Sequence, residues 1–185
     1  PVVLSSTLLF SNTAALKAAS CTRRTYVRHG SATTMALEQA LCALEGADDC
    51  LLTPSGLSAI STTLLALLQP GDDLLMSDAC YEPTRALCDG LLMRLGIHTS
   101  YYDPLIGAGI SELLTSSRVV VVGAAGSLTF EIHAGPALAA AHRVQGALLV
   151  ADSTWATPLG WDAFALGVDV SLHAATKYIV GHSDV

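Results

Sequence analysis

Residues 169–184 read DVSLHAATKYIVGHSD, and this stretch indicates how the chain is expected to fold. It begins with apolar and small residues, which predict a buried strand, and it ends in a polar turn. Lys177 lies where the apolar run stops. A lysine that loses water in a cleft has a lowered pKa and becomes a nucleophilic amine. Spacing alone, however, favours a solvated lysine at a strand end.

Candidate strands and helices alternate from residue 49 onwards. Short apolar runs between turn residues predict strands at 49–53, 73–77, 97–102, 118–122 and 148–151. Periodic segments predict helices at 57–68, 80–95, 110–114 and 136–145. This alternation predicts an α/β fold with a mainly parallel sheet and helices on both faces, joined by right-handed crossovers.

The beginning of the chain gives a weaker pattern. Residues 1–48 are predicted to form an N-terminal arm and a first helix, and residues 49–185 to form the α/β domain. Residues 1–34 mix polar and apolar residues without a period, so they are expected to be irregular. In the expected helix at 35–45, three leucines recur at helical spacing and are expected to lie in the core: Leu37, Leu41 and Leu44.

Composition limits the classes of partner. Hydrophobic residues make up 51% of the chain and charged residues 14%, which indicates a sheet buried on both faces, a large subunit interface, or both. The net charge of −7 and the lack of a basic patch argue against nucleic acid, and no apolar run is long enough to span a membrane. Five cysteines and six histidines lack ligand spacing, so we expect free thiols, a cytoplasmic location and no metal.

Several residues lie where ligands of open α/β sheets gather, just after predicted strands. Ser55 and Gly56 lead into a helix whose first amides could bind an anion, although an ordinary N-cap serine fits equally well. Tyr81 could stack on a planar ligand or simply pack. Asp152 could pair with a buried cation or simply close a turn.

Three motifs together resemble a known family. Residues 175–178 (ATKY) with 181–184 (GHSD), residues 81–83 (YEP) and residues 152–156 (DSTWA) are similar to motifs of the Cys/Met-metabolism enzymes that use pyridoxal phosphate (PLP). The similarity runs over nearly the whole chain and is greatest to the bacterial cystathionine β-lyase branch. It implies PLP-dependent transferase fold type I, represented here by its large domain without the C-terminal domain.

The resemblance also implies roles for individual residues. Lys177 would hold PLP covalently and move protons, Asp152 would pair with the pyridine nitrogen, and Tyr81 would stack on the ring and assist catalysis. Further contacts to the cofactor are implied for Ser55, Gly56, Leu57, Thr176 and Ser127. Tyr26 and Arg28 would reach into a neighbouring subunit and bind its cofactor phosphate, with Tyr26 also taking part in catalysis.

The implied activity is that of a carbon–sulfur lyase. It would convert cystathionine into homocysteine, pyruvate and ammonia in methionine biosynthesis, within a homodimer or homotetramer whose subunits share their active sites. A γ-lyase or a cysteine desulfhydrase remains an alternative. A PLP-binding protein without lyase activity is another, because residues 123–125 (GAA) replace the Glu-Ser-Pro of the β-lyase branch.

Overall fold

The structure is a computed structural model that describes residues 2–20, 25–114, 117–133 and 135–182. The chain divides into two compact units, Pro1–Leu52 and Thr53–Val185. The roles that we assigned to residues 1–48 and 49–185 remain a prediction. Among the helices of the described residues, none is both long and apolar enough to cross a membrane.

The second unit is built on a five-stranded sheet. Its strands are β1 (Asp73–Ser77), β2 (His98–Tyr102), β3 (Ser117–Gly123), β4 (Leu148–Asp152) and β5 (Val170–Leu172). They lie in the order β2-β1-β3-β4-β5, and every neighbouring pair is parallel. Parallel strands require crossovers, so all five strands end at the same edge of the sheet.

Helices cover both faces of this sheet, as predicted. They are α3 (Gly56–Leu67), α4 (Glu82–Leu87), α5 (Ile110–Leu113), α6 (Gly135–Gln145) and α7 (Thr157–Gly160). One hydrophobic core contains Ile60 and Leu64 of α3, and the other contains Ile110 of α5 and Leu138 of α6. The fold class derived from the sequence is therefore confirmed.

Strand β3 shows why the sheet needs cover on both faces. Val119 and Val121 face the core under α3, whereas Val120 and Val122 face the core under α5 and α6. All four are at most 3% exposed. Because successive side chains of a strand point to opposite faces, an all-valine strand is stable only when both faces are buried.

Most elements predicted from residue 49 onwards agree with the structure to within a few residues. One does not: residues 49–53 form no strand, and Leu51 and Leu52 are exposed. An apolar run becomes a strand only where another strand offers it hydrogen bonds, and no strand lies among the described residues of the first unit. The predicted helix at 80–95 is interrupted, because α4 continues as a π-helical turn over Cys88–Leu92.

The first unit contains helices α1 (Thr13–Ala19) and α2 (Ala32–Glu45). Helix α1 was not predicted, although Asn12 caps it by accepting a hydrogen bond from the amide of Ala15 at 2.9 Å. Residues 1–34 are thus not wholly irregular. The start of α2 at Ala32 is explained by a capping box between Ser31 and Thr34.

The core assignment for the leucines of α2 is wrong for the isolated chain. Leu37 and Leu44 are 48% and 52% exposed, and Leu41 is half-buried. Among the described residues of the first unit, Ser31 alone is buried. Helical spacing identifies the apolar face of α2, but a unit of this size supplies too few neighbours to cover that face.

A buried histidine, His133, lies where three strands of the second unit end. It is 7% exposed, its Nε2 lies 3.1 Å from Oγ of Ser77, the last residue of β1, and its ring centroid lies 6.2 Å from that of Tyr102 on β2. Burial lowers the pKa of His133 and outweighs the opposite effects of the Gly123 backbone at the end of β3 and of Glu131. The ring is therefore neutral at neutral pH.

The lowered pKa of His133 leads to a prediction about how the free energy of unfolding depends on pH. Because its pKa in the folded chain lies below the unfolded value of about 6.5, the unfolded chain takes up a proton first as the pH falls. The free energy of unfolding should therefore decrease below about pH 6.5, by at most about 1.4 kcal/mol per pH unit from this group. Urea unfolding at several pH values, followed by tryptophan fluorescence, measures this slope. His133→Gln should make the slope shallower, and an unchanged slope would contradict the prediction.

Candidate active site

A cavity of about 600 Å³ opens at the carboxyl ends of the strands. Ser77 of β1, Gly123 of β3, Asp152 of β4 and Leu172 of β5 all line it. The chain order of the strands reverses between β1 and β3, and ligands of open α/β sheets bind at such a switch point. The volume suits a small organic ligand.

Lys177 lies in this cavity, in the turn after β5. Its backbone amide donates to the Ala174 carbonyl at 3.0 Å, and its carbonyl accepts from the Gly181 amide at 2.8 Å. The turn is also tied to the segment after β4, because the Ala174 amide donates to Thr154 Oγ1 at 2.9 Å. The side chain of Lys177 is exposed, as the simpler reading of the sequence held, but the cavity includes it.

The beginning of α3 forms the wall beside this lysine turn. A methyl group added to Gly56 would lie 2.7 Å from the Cβ of Ala174, so the helix start and the turn after β5 are in close contact. Ser55 is indeed the N-cap, since its Oγ accepts from the Ser58 amide at 3.1 Å. The amides of Gly56 and Leu57 precede the first intrahelical bond, from Ala59 to Ser55, so they can still donate to an anion.

Asp152 ends β4 and is half-buried in the cavity wall. Its Oδ1 accepts a hydrogen bond from the Thr154 amide at 3.1 Å, which is the turn role weighed from the sequence. The next residue, Ser153, is buried, and its Oγ accepts from Ser171 Oγ at 2.9 Å on the neighbouring strand. These contacts hold Asp152 in place at the cavity wall. Among the described hydrogen bonds, none joins its carboxylate to a cationic side chain.

Tyr81 follows β1, and its side chain is 52% exposed in the cavity. Its turn is held by Arg85, whose Nη2 donates to the carbonyl and to Oδ1 of Asp78, both at 2.6 Å. The neighbouring thiol of Cys80 also lines the cavity, and burial raises its pKa. Ser127 is placed opposite this turn, because its amide donates to the Ala79 carbonyl at 2.8 Å.

The structure thus brings together eight of the predicted site residues. They all line the cavity: Ser55, Gly56, Leu57, Tyr81, Ser127, Asp152, Thr176 and Lys177. The other two, Tyr26 and Arg28, belong to the first unit, where Arg28 Nε donates to Tyr26 Oη at 2.8 Å. Their reach into a neighbouring subunit stays a prediction.

The departure at residues 123–125 lies at the cavity wall. Gly123 and Ala125 line the cavity, and the Ala124 amide donates to the Asp152 carbonyl at 3.0 Å. Ala125 pairs with Ile132 in an isolated antiparallel bridge, so the loop after β3 folds back on itself. This part of the wall therefore presents only the small residues Gly123 and Ala125 to the cavity.

Sequence reasoning missed an aromatic row at the cavity mouth. Trp155 lies between Phe130 and Tyr178, with ring centroids 5.2 Å and 5.6 Å away. All three are exposed, and Trp155 and Tyr178 line the cavity. Trp155 lies in the segment that follows Asp152 at the end of β4, and Tyr178 is adjacent to Lys177, and these two positions were the signal that could have identified them.

Comparison with known proteins is consistent with this geometry. The family model described as Cys/Met metabolism PLP-dependent enzyme matches residues 1–185. The chain is 42% identical to cystathionine beta-lyase MetC of Escherichia coli (strain K12), over 97% of this chain and 47% of that protein. It is 37% identical to the chloroplastic cystathionine gamma-synthase 1 of Arabidopsis thaliana, over 100% of this chain and 34% of that protein.

A solved structure agrees as well. The cystathionine gamma synthase from Xanthomonas oryzae pv. oryzae, crystallised with aminoacrylate and cysteine, matches with a TM-score of 0.91 and 30% identity. The match covers 100% of this chain and 47% of that one. The chain therefore spans about half the length of the relatives it matches. The fold is PLP-dependent transferase fold type I.

The contact between Gly56 and Ala174 yields a prediction about phosphate binding. Gly56→Ala introduces a methyl group that overlaps Ala174, so the first turn of α3 must move away from the lysine turn. Affinity for PLP, measured by titration of the apoprotein, should fall about ten-fold or more, equivalent to about 1.4 kcal/mol. Gly90→Ala is the matched control, because a methyl group there meets open space. Equal affinities in the two variants would show that the contact does not shape the site.

Proposed function

Because the chain belongs to the family of Cys/Met metabolism PLP-dependent enzymes, we propose that its protein is a carbon–sulfur lyase that cleaves cystathionine by β-elimination. The products would be homocysteine, pyruvate and ammonia. The observation that carries the proposal is the joint placement of a lysine, a carboxylate, an aromatic ring and a helix N-terminus around one cavity. The Tyr81-Glu82-Pro83 motif and the 42% identity to a β-lyase support β-elimination over the other family reactions.

The residues present fit PLP as cofactor. The amides of Gly56 and Leu57 at the positive end of α3, together with Thr176, would bind its phosphate. Tyr81 would stack on its ring, and Ser127 would contact its ring hydroxyl. Gly56 packs closely against Ala174, so the start of α3 lies near Lys177. A cofactor bound to the α3 amides through its phosphate and to Lys177 through its aldehyde carbon requires this proximity.

PLP, when bound, supplies an electron sink for negative charge that develops at the substrate Cα. Lys177 would hold the cofactor covalently between turnovers, and its freed Nζ would take the proton from Cα. Asp152 would accept a hydrogen bond from the ring N–H and keep that nitrogen protonated. The Cβ–S bond would then break with its electron pair going to sulfur, and the departing thiolate would take up a proton such as the one that Lys177 removed from Cα. Water would then complete the conversion to pyruvate and ammonia.

Subunit sharing belongs to the same proposal. Tyr26 and Arg28 would bind the cofactor phosphate of a neighbouring subunit in a homodimer or homotetramer, with Tyr26 assisting catalysis. Support comes from the first unit, where apolar side chains such as Leu4 and Leu9 are 91% and 94% exposed. A second copy would remove these surfaces from water, which favours association. A cytoplasmic location is proposed with it.

Two alternatives have specific support. A γ-lyase or γ-synthase reaction is favoured by the 37% identity to a cystathionine gamma-synthase. A PLP-binding protein without lyase activity is favoured by the small residues Gly123 and Ala125 at the cavity wall. Product analysis with cystathionine separates a β-lyase, a γ-lyase and a protein that does not cleave cystathionine, because β-elimination gives pyruvate and homocysteine, γ-elimination gives 2-oxobutyrate and cysteine, and the third gives neither. In that third case, formation of cystathionine from cysteine and an activated homoserine distinguishes a γ-synthase from a PLP-binding protein without activity.

The lysine assignment can be tested against a second lysine of the same sequence, because these 185 residues contain Lys17 as well as Lys177. Lys17 is exposed in the last turn of α1. Borohydride reduction of the holoprotein should bleach its visible band, and peptide mass spectrometry should find the pyridoxyl adduct on Lys177. Lys17→Arg should leave the band intact, and Lys177→Arg should abolish it. An adduct that persists in Lys177→Arg would refute the assignment.

The substitution Asp152→Asn tests the charge of this side chain separately from its role in the turn after β4. Asparagine keeps an oxygen that can accept from the Thr154 amide, so the turn should survive. It lacks the charge that keeps the ring nitrogen protonated. Loss of one charge-assisted hydrogen bond, about 1.5–3 kcal/mol, should slow turnover roughly ten- to a hundred-fold. The variant should still bind PLP. If the variant turned over at the parent's rate, Asp152 would serve only to hold the turn, and its proposed role at the ring nitrogen would be wrong.

A further inference from the structure

Ser77 and His133 form a buried polar pair beneath the cavity. The two side chains are 1% and 7% exposed, and Ser77 Oγ lies 3.1 Å from His133 Nε2. Ser77 itself lines the cavity at the end of β1. The proposed chemistry uses neither residue, yet buried polar groups are costly unless they are hydrogen-bonded.

A series of hydrogen bonds runs from this pair to the turn that carries Tyr81 and to the loop that carries Ser127. The Ala79 amide donates to Ser77 Oγ at 3.3 Å, and the Ala79 carbonyl accepts from the Ser127 amide at 2.8 Å. Ala79 opens the turn that carries Tyr81. A single path therefore connects His133 to the turn that presents the stacking tyrosine and to the backbone of Ser127.

The Ser77 hydroxyl can serve more than one partner at once. Its Oγ accepts from the Ala79 amide, and it still has one proton to donate and a second lone pair with which to accept. The hydrogen bond to His133 Nε2 can therefore form in either tautomer of the neutral ring. It is compatible with a ring that burial keeps neutral.

His133 also closes the loop that carries Ser127. The loop turns back through the bridge between Ala125 and Ile132, and His133 follows that bridge directly. Its ring then lies near Tyr102 at the end of β2 and near Gly123 at the end of β3. The histidine thus attaches both ends of the loop to the edge of the sheet.

We propose that Ser77 and His133 are positioning residues that set the spacing between the Tyr81 turn and the Ser127 loop, and through it the orientation of the bound cofactor ring. This inference rests on the proposed function, because it assumes that Tyr81 and Ser127 contact PLP. Neither Ser77 nor His133 needs to touch the cofactor. Their effect passes through Ala79.

The test measures cofactor orientation rather than turnover. Ser77→Ala and His133→Phe remove the hydrogen bond, whereas Ser77→Thr and His133→Gln retain a group that can form it. The circular dichroism of the visible cofactor band reports how the ring is fixed against its surroundings, and titration of the apoprotein gives PLP affinity. In Ser77→Ala and His133→Phe the band should weaken and affinity should fall about ten-fold. The two conservative variants should keep most of both.

A control for general destabilisation is Ile110→Val. Ile110 is fully buried in the core under α5 and α6, and this change removes one methylene there. It should lower thermal stability while leaving the cofactor band unchanged.

The outcomes are distinct. If Ser77→Ala and His133→Phe lose stability but keep the parent's circular dichroism and PLP affinity, the pair is merely structural and the inference is overturned. If the parent holoprotein shows no cofactor band, the proposed function fails first, and the inference fails with it. Reduced circular dichroism in these two variants with rescue in the conservative ones supports it, whichever carbon–sulfur reaction the protein catalyses.

Discussion

The structure depends on one close approach, the contact of Gly56 with Ala174. It joins the start of α3, which follows no strand among the described residues, to the turn after β5, about 120 residues later in the sequence. Gly56 has no room for a larger side chain while the contact is kept. The sheet brings the strand ends to a common edge, but this contact adds the positive helix end to that edge. Without it, the lysine turn would not lie beside the first amides of α3.

The second unit shows how much of the fold can be predicted from local sequence patterns. Strand β1 was predicted with its observed bounds because Pro70-Gly71 marks a turn before it and four of its five residues are buried. Lys177, Asp152 and Tyr81 could be proposed as site residues because each follows a strand. The pairing of Ser77 with His133 could not be predicted, since the residues are 56 positions apart and neither belongs to a motif. Such pairs are set by loop closure and burial.

The first unit shows where the same patterns fail. Leu37 and Leu44 carry helical periodicity, which predicts the face that must be covered but not what covers it. Leu51 and Leu52 resemble a strand, yet a strand requires a partner edge. In both cases the sequence identifies surfaces that avoid water, and the missing information is the identity of the neighbouring element. The family resemblance implies that a second subunit lies beside the first unit, and this association remains a proposal.

The scarcity of lysine has a chemical consequence for any aldehyde that meets this chain. Aldehydes condense with unprotonated amines, and the seven arginines that supply the other basic side chains do not form such adducts at neutral pH. With Lys17 on a solvent-exposed helix and Lys177 in a cavity that suits an aldehyde-bearing phosphate, the sequence offers few decoy amines. Within these 185 residues, Lys17 is thus the one lysine that could compete with Lys177 for an aldehyde.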